Sequence, residues 1–376
     1  MTEKTWSIKT ELSVMFIIKK SDVFNTKNDD LLDFGKSKRR LVVVDLKVSN
    51  LYLKKIIKYF VHHKIDYHIV ILDAVETMKN TETLLYLLKQ MEQFSLSRRS
   101  EPVIAVGGGV LLDIVGLACN LYRRGVPYVR VPTTLIGIVD ACVGAKTAVN
   151  FLDRRNRLGT YYPPVASYLD KNFLKTLEPV EISSGLGEIL KMGVIKDKRL
   201  FHLLYTYGQE LYETKFESEQ ADEVIDRAIQ GMKEELENNL WEKNLERSVD
   251  FGHSFSPILE MRSLTDDSVP SLTHGQAVAL DVIFSSILSQ TRKKLPEKDV
   301  KEIIMTAKNM GLPVFHPYFG NPSLLLEALH DTVKHRNGNQ NLPIPTKIGE
   351  CTFLNDVTSE EIKNVAKIMK RMSLYV

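Results

Sequence analysis

The sequence predicts an N-terminal α/β domain built on a parallel sheet, followed by an all-α domain. The chain has 376 residues, which is long for a single hydrophobic core. In its first half, apolar strand-like segments alternate with helical segments of about ten to fifteen residues, the pattern of βαβ units. After about residue 180 the strand signals fade and long helical periods replace them. We therefore predict domains over residues 1–180 and 181–376.

The first domain contains three apolar segments that read as buried strands. They are expected at Leu41–Asp45, His68–Asp73 and Val103–Val106. Ser49 and Asn50 are candidates to cap the helix that follows the first strand, and a helical pattern over Thr81–Gln93 follows the second. Residues 1–40 are mixed, with a polar break at 25–30, and they predict no particular element.

Helical periodicity dominates the second domain. Apolar residues spaced three or four apart form one face over 300–310, and the same spacing recurs over 362–372. Thr358 and Glu361 have the spacing of a capping box, which predicts that the last helix begins between them. The second domain is therefore expected to be all-α.

Composition excludes several classes of protein. The net charge is only +3, so we expect neither nucleic acid nor a membrane surface as a partner. No segment approaches the roughly 20 apolar residues of a spanning helix. The first residues lack the order of a signal peptide, and the three cysteines lie far apart. These features predict a cytoplasmic protein with reduced cysteines.

A glycine turn follows the third predicted strand and opens a helix. In the segment Gly107–Asp113, glycines would let the backbone approach a pyrophosphate at the helix N-terminus, as in Rossmann-like domains. The turn lacks the GxGxxG pattern, so tight packing alone is an alternative. Polar residues also occur at the carboxyl ends of predicted strands, the usual ligand edge of such sheets. They are Asp45, Glu76, Lys79, Thr133 and Thr134.

Two histidines in the second domain are candidate metal ligands. His253 and His274 each lie beside a glycine and each lead into a helical pattern. Histidine is the commonest metal ligand, although an isolated histidine is more often structural. Glu188 lies in a helical segment with Lys191 one turn later, where a surface ion pair is the alternative. One carboxylate and two imidazoles would suit a catalytic zinc site with an open position.

Four segments together resemble the dehydroquinate synthase superfamily of sugar phosphate cyclases: GGGVLLDIVGLACNLYRRG, VPTTLIGIVDACVGAKTAVNF, GLGEILKMG and DFGHSFSP. The resemblance covers roughly residues 40–350 in consistent order, and it implies a dehydroquinate synthase-like fold. It also implies NAD in the first domain, zinc or cobalt in the second, and a homodimer. The implied metal ligands are Glu188, His253 and His274. The implied NAD contacts are Asp45, Glu76, Lys79, Gly108, Gly109, Asp113, Thr133 and Thr134.

The resemblance also implies a reaction on a sugar phosphate. NAD transiently oxidises a ring hydroxyl, phosphate is eliminated, the ketone is reduced again, and an intramolecular aldol step closes the ring. By motif position, the residues implied to hold the phosphate and the substrate are Lys146, Arg155, Asn156 and Lys191. Asp140 is expected to contact a substrate hydroxyl. Lys233 is included only if the match is shifted by one residue.

Departures from the dehydroquinate synthase pattern bear on the substrate. Asp250 replaces an asparagine, Pro257 replaces a histidine, Glu246 replaces an arginine with Arg247 one place out of register, and His335 replaces the second of two lysines. We interpret each change as removing positive charge or hydrogen-bond donors from one side of the pocket, or as adding a negative charge there. Asp250 would then repel a carboxylate and accept hydrogen bonds from a polyol. The expected substrate is a sugar phosphate without a carboxylate.

Within the superfamily, DFGHSFSP and HRNGNQNLPIP resemble the sedoheptulose 7-phosphate cyclases, the 2-epi-5-epi-valiolone synthases in particular. The 2-epi-valiolone synthases differ in product stereochemistry and stay open as an alternative. So do 3-dehydroquinate synthase and, outside the cyclases, a metal-dependent polyol dehydrogenase. A non-catalytic dinucleotide-binding protein would be expected to lack metal ligands, whereas all three candidates are present.

Overall fold

The computed structural model describes residues 4–9, 14–152 and 154–372. The chain divides into two compact units, Met1–Thr176 and Leu177–Val376. This division falls four residues before the predicted boundary at residue 180.

In the described part of the first unit, one sheet contains seven strands: β1 Lys4–Lys9, β2 Val14–Lys19, β3 Arg39–Asp45, β4 Asp66–Leu72, β5 Val103–Gly107, β6 Tyr128–Pro132 and β9 Ala166–Leu169. Their order in the sheet is β1-β2-β9-β6-β5-β3-β4. All neighbours pair in parallel except β1 and β2, which are antiparallel. The predicted parallel sheet is therefore confirmed.

Helices cover both faces of this sheet. They are α1 Leu46–His62, α2 Thr81–Gln93 and α3 Gly109–Leu121. The side chains of β3 alternate between two apolar cores: Leu41 and Val43 pack with α2 and α3, while Val42 and Val44 pack with α1. Because both faces are buried, the strand reads in sequence as a continuous apolar run rather than as an alternation.

Two local predictions in the first unit need correction. Residues 1–40 were assigned no element, yet they contribute the hairpin of β1 and β2, and β2 joins the sheet beside β9. The helix after β3 is capped by Asp45, whose carboxylate accepts from the N–H groups of Lys47 and Val48. Ser49 and Asn50 lie inside that helix, so they do not cap it.

A separate antiparallel hairpin follows β6 in the chain. It consists of β7 Lys146–Phe151 and β8 Arg154–Tyr161, and it packs against α3. A π-helical turn, Gly137–Ala141, precedes it.

The second unit is helical. Its helices are α4 Pro179–Ile195, α5 Lys198–Glu213, α6 Ala221–Leu236, α7 Ser256–Ser263, α8 His274–Thr291, α9 Glu297–Asn309, α10 Pro322–His335 and α11 Ser359–Met372. One hairpin, β10 Leu342–Lys347 with β11 Glu350–Leu354, is an element that the all-α prediction omitted. The capping box is confirmed, since Thr358 and Glu361 exchange side-chain-to-backbone hydrogen bonds. Within the described residues, no helix has the length and apolarity needed to cross a membrane.

Candidate metal centre and nucleotide site

Helices α4 and α8 cross with their backbones in contact, and this crossing sets the position of two candidate ligands. A Cβ atom on Gly187 would lie 2.1 Å from the carbonyl oxygen of Gly275, and one on Gly275 would lie 1.7 Å from that of Ser184. Only glycine permits such an approach. Glu188 directly follows Gly187, and His274 directly precedes Gly275, so the crossing of the helices brings the two side chains together.

His274 is the first residue of α8, and Thr273 and Gln276 form a capping box around it. His253 lies in the loop before α7, and a buried carboxylate on α8 fixes that loop. Asp281 Oδ2 accepts the three successive backbone N–H groups of Ser254, Phe255 and Ser256, at 2.9, 2.7 and 3.0 Å. Both histidines are therefore placed by α8, one at its first residue and one through Asp281.

The imidazoles converge on one carboxylate oxygen. His274 Nε2 lies 3.0 Å and His253 Nε2 3.5 Å from Glu188 Oε1, and one ligand atom from each residue lies within 4.8 Å of the others. The Nδ1 atom of His274 lies 2.9 Å from Glu260 Oε2, and the Nδ1 atom of His253 lies 3.2 Å from the carbonyl oxygen of Phe251. With a proton on each Nδ1, each Nε2 presents its lone pair to the centre. This donor set fits a divalent metal such as zinc.

The charge of Glu188 also suits a metal ligand. Burial opposes ionisation of this carboxyl, but Lys191 and His253 together hold its pKa well below the usual value. Lys191 Nζ lies 2.6 Å from Glu188 Oε2, and both side chains are buried. The alternative of a surface ion pair is therefore wrong, because the pair lies inside the unit.

Glu260 and Asp281 support the metal centre, although neither was predicted from the sequence. Each lies seven residues after a histidine, Glu260 after His253 and Asp281 after His274. The second interval is two turns of one helix, whereas the first begins in the loop before α7. The support is reciprocal. The helix α7, which follows His253, carries Glu260, the partner of His274, while α8, which begins at His274, carries Asp281, which holds the loop of His253. The seven-residue spacing was the available signal.

We expect Glu260→Gln to weaken zinc binding by about 10- to 100-fold, because a neutral amide orients and polarises the His274 imidazole less well. Competition with a chromogenic chelator measures the zinc affinity. Glu327→Gln is the control, since Glu327 pairs with Arg262 on the surface. Unchanged zinc affinity in Glu260→Gln would remove this carboxylate from the support of His274.

Asp250 lies near the centre, but its charge is compensated. Arg247 pairs with Asp250 and also with Glu242, and Arg336 Nη2 lies 3.6 Å from Asp250 Oδ2. Two guanidinium groups therefore compensate the negative charge of Asp250. Arg247 supplies one from one place out of register, and Arg336, to which no sequence motif pointed, supplies the other.

Two other proposed substrate residues contact carboxylates four residues away in the chain. His335 Nε2 lies 3.4 Å from Asp331 on α10, and its side chain is 56% exposed. Lys233 Nζ lies 3.0 Å from Glu237, which directly follows the last residue of α6. Neither contact involves a proposed metal ligand, and the roles of both residues in substrate binding stay predictions.

In the first unit, the glycine turn packs against the end of β6. A Cβ atom on Gly108 would lie 3.0 Å from Thr134 Cγ2, and the N–H of Thr133 donates to the carbonyl of Gly107. Gly108 caps α3 without a side chain, and Gly109 is the first residue of that helix. The cap and the first residue of α3 thus lack side chains, which would let a pyrophosphate approach the first N–H groups of the helix.

A polar network joins several of the proposed NAD and substrate residues. Lys79 is buried, and its Nζ donates to Asp113 Oδ2 at 2.6 Å and to Asn156 Oδ1 at 2.5 Å. Glu76 Oε1 lies 3.6 Å from Arg155 Nε. The hairpin of β7 and β8 thereby brings Arg155 and Asn156 to residues that follow β4.

Arg130 holds the segment that carries Asp140 and Lys146. Its guanidinium is buried, and it donates to the backbone carbonyls of Ala141, Gly144 and Lys146 at 2.8, 2.7 and 3.3 Å. One buried side chain therefore holds the backbone around both proposed substrate residues.

A parallel sheet with a glycine turn and a helical unit with a Glu–His–His centre define a class of metal-dependent enzymes with a dinucleotide-binding domain. Family models describe the same two parts: the 3-dehydroquinate synthase N-terminal model matches residues 69–184, and the C-terminal model matches residues 185–335. The chain belongs to the 3-dehydroquinate synthase family.

Two individual relatives and one solved structure are similar to most of this chain. The chain is 44% identical to a 2-epi-5-epi-valiolone synthase from an Actinoplanes species, over 98% of this chain and 94% of the relative. A demethyl-4-deoxygadusol synthase from Trichormus variabilis is 34% identical, over 94% and 86% of the two chains. Among solved structures, the 2-epi-5-epi-valiolone synthase of Streptomyces hygroscopicus subsp. jinggangensis, with NAD+ and Zn2+ bound, matches with a TM-score of 0.90 and 44% identity. That match covers 95% of this chain and 96% of the other.

Proposed function

We propose that this protein is a sedoheptulose 7-phosphate cyclase that forms 2-epi-5-epi-valiolone and releases phosphate. The observation that carries the proposal is the Glu188–His253–His274 centre within a chain that is 44% identical to a 2-epi-5-epi-valiolone synthase over 98% of its length. Identity falls to 34% for the demethyl-4-deoxygadusol synthase. Because the overall reaction breaks a carbon–oxygen bond to phosphate, the enzyme is a lyase.

We assign a site for each cofactor to residues of this chain. Glu188, His253 and His274 would hold zinc, and cobalt suits the same donors. The turn at Gly108 and Gly109 would hold the NAD pyrophosphate. When bound, NAD accepts and returns a hydride, and the metal acts as a Lewis acid on substrate oxygens.

Charged side chains of the chain would orient the substrate. Lys146 and Arg155 are the cations proposed for the phosphate group, with Asn156 as a hydrogen-bonding neighbour. Lys191 would serve next to the metal, where its Nζ lies 2.6 Å from Glu188 Oε2. Asp140 would accept a hydrogen bond from a substrate hydroxyl. Homodimerisation and a cytoplasmic location stay predictions.

The proposal predicts phosphate release from sedoheptulose 7-phosphate by purified protein supplied with NAD and zinc, without net formation of NADH. Phosphate is measured colorimetrically and NADH by its absorbance. NMR of the product distinguishes 2-epi-5-epi-valiolone from its epimer. Phosphate release only from the carboxylated seven-carbon substrate of 3-dehydroquinate synthase would contradict the proposal, and accumulation of NADH would indicate a polyol dehydrogenase.

A further inference from the structure

Asn150 lies near the end of β7, at an irregularity in the hairpin of β7 and β8. The register of the two strands shifts between Val149 and Phe151. Irregularities of this kind turn a residue away from the regular ladder. The backbone N–H of Asn150 donates instead to the carbonyl of Lys79 at 2.7 Å. This contact joins the hairpin to the segment that follows β4, which carries two of the proposed NAD contacts.

The side chain of Asn150 contacts a proposed NAD residue and a proposed substrate residue at the same time. Its Nδ2 donates to Glu76 Oε1 at 2.9 Å, and its Oδ1 accepts from the backbone N–H of Asn156 at 2.8 Å. The two contacts use the donating and the accepting group of one carboxamide. An aspartate here would keep the acceptor but place a second carboxylate against Glu76, and a leucine would supply neither group.

The contact with Asn156 supports an unusual backbone conformation. Asn156 has a φ of 51°, in the left-handed region that asparagine tolerates better than most residues. Such conformations persist where the surrounding structure holds them. Asn150 binds the backbone N–H of Asn156, and Lys79 Nζ donates to its Oδ1 at 2.5 Å. The backbone and the side chain of Asn156 are therefore held by two different residues.

The hairpin also orients Glu76. Its Oε1 atom accepts from Asn150 Nδ2 and lies 3.6 Å from Arg155 Nε, and only 17% of the Glu76 side chain is exposed. Both partners of this oxygen belong to β7 and β8, whereas Glu76 itself follows β4. The direction of the carboxylate therefore depends on a hairpin that lies about 75 residues later in the chain.

We propose that Asn150 is a positioning residue, which orients Glu76 for NAD and Asn156 for the phosphate group of the substrate. One amide thus supports both binding sites, through its donor on one side and its acceptor on the other. The inference rests on the proposed function, since it concerns how NAD and phosphate are bound in that reaction.

The first test is calorimetric titration of the zinc-loaded protein with NAD, which requires no turnover. Asn150→Asp is expected to raise the dissociation constant of NAD by about 10- to 100-fold, the effect of losing one hydrogen bond to a charged group. Asn25→Asp is the matched control, because Asn25 Nδ2 also donates to a carboxylate, Asp22 Oδ2, at 3.2 Å. Asn25 follows β2, which four strands separate from β4 in the sheet, so NAD affinity should not change.

Glu76→Gln distinguishes a direct contact from general damage to the hairpin. In the natural protein this substitution should weaken NAD binding, because it removes a carboxylate proposed to contact the cofactor. In the Asn150→Asp protein it should strengthen NAD binding, since it ends the repulsion between two carboxylates and restores a donor. Such a reversal of sign requires that the two side chains interact.

Asn150→Leu tests the second contact. The probe is inorganic phosphate, titrated into the protein in the presence of zinc and saturating NAD. Its dissociation constant should rise by about 3- to 10-fold, because the N–H of Asn156 loses its acceptor. Asn150→Ala provides the same reading if Asn150→Leu folds poorly.

The inference would be overturned by unchanged NAD affinity in Asn150→Asp, or by an equal loss in Asn25→Asp. Additive effects of the Glu76 and Asn150 substitutions would overturn it too, as would unchanged phosphate affinity in Asn150→Leu and Asn150→Ala. Failure of the proposed function would instead appear in the unaltered protein, as absent NAD binding or as absent phosphate release from sedoheptulose 7-phosphate.

Discussion

His274→Ala is expected to reduce the rate of phosphate release by about a thousand-fold or more. The substitution removes an Nε2 atom that lies 3.0 Å from Glu188 Oε1, and it leaves one imidazole and one carboxylate to hold the metal. A thousand-fold loss corresponds to about 4 kcal/mol of lost transition-state stabilisation, which is within the contribution of a Lewis-acid metal. Steady-state phosphate release and the zinc content of the dialysed protein measure the two effects.

His202→Ala is the matched control, because His202 is exposed on α5 of the same unit. It should retain zinc and full activity. NAD binding should survive in both variants, since the glycine turn belongs to the first unit. A His274→Ala enzyme with near-normal rate and zinc content would show that His274 is not a metal ligand.

Asp281→Ala should destabilise the second unit by about 3 kcal/mol or more. Three buried backbone N–H groups would lose their shared acceptor, and unsatisfied buried donors cost about 1–3 kcal/mol each when water cannot replace the partner. For a unit of this size, the expected decrease in melting temperature is about 6–12 °C. Differential scanning calorimetry measures it, and zinc affinity should fall as the His253 loop loosens.

Two milder substitutions separate the contributions to this effect. Asp281→Asn keeps one carbonyl oxygen as an acceptor, so its loss of stability should be smaller. Ser285→Ala removes only the hydroxyl that donates to Asp281 Oδ1, and it should have the smallest effect. If Asp281→Ala melts at the temperature of the unaltered protein, the three N–H groups do not depend on this carboxylate.

The elements that the sequence predicted are those with strong local signals. The apolar run of β3, the helix over Thr81–Gln93 and the capping box at Thr358 depend on residues a few positions apart. The hairpin of β1 and β2 had no such signal. Its second strand is stabilised by pairing with β9, whose residues follow about 150 positions later in the chain.

Sequence motifs predicted Glu188, His253 and His274 as metal ligands, and the structure brings the three side chains together. The charges around them could not be assigned in the same way, because a counter-ion depends on which helices meet. Asp250 is the instructive residue. The substitutions at and around it suggested lost positive charge or added negative charge, whereas Arg336, distant in sequence, lies beside it in the structure.

The contact between Gly187 and Gly275 has a consequence for how the enzyme can vary. Neither residue offers an atom to a metal, yet an added methyl group at either would collide with the facing backbone and push α4 from α8. The separation of Glu188 from His274 would then grow. Substitutions of these two glycines should therefore be tolerated as poorly as substitutions of the metal ligands themselves.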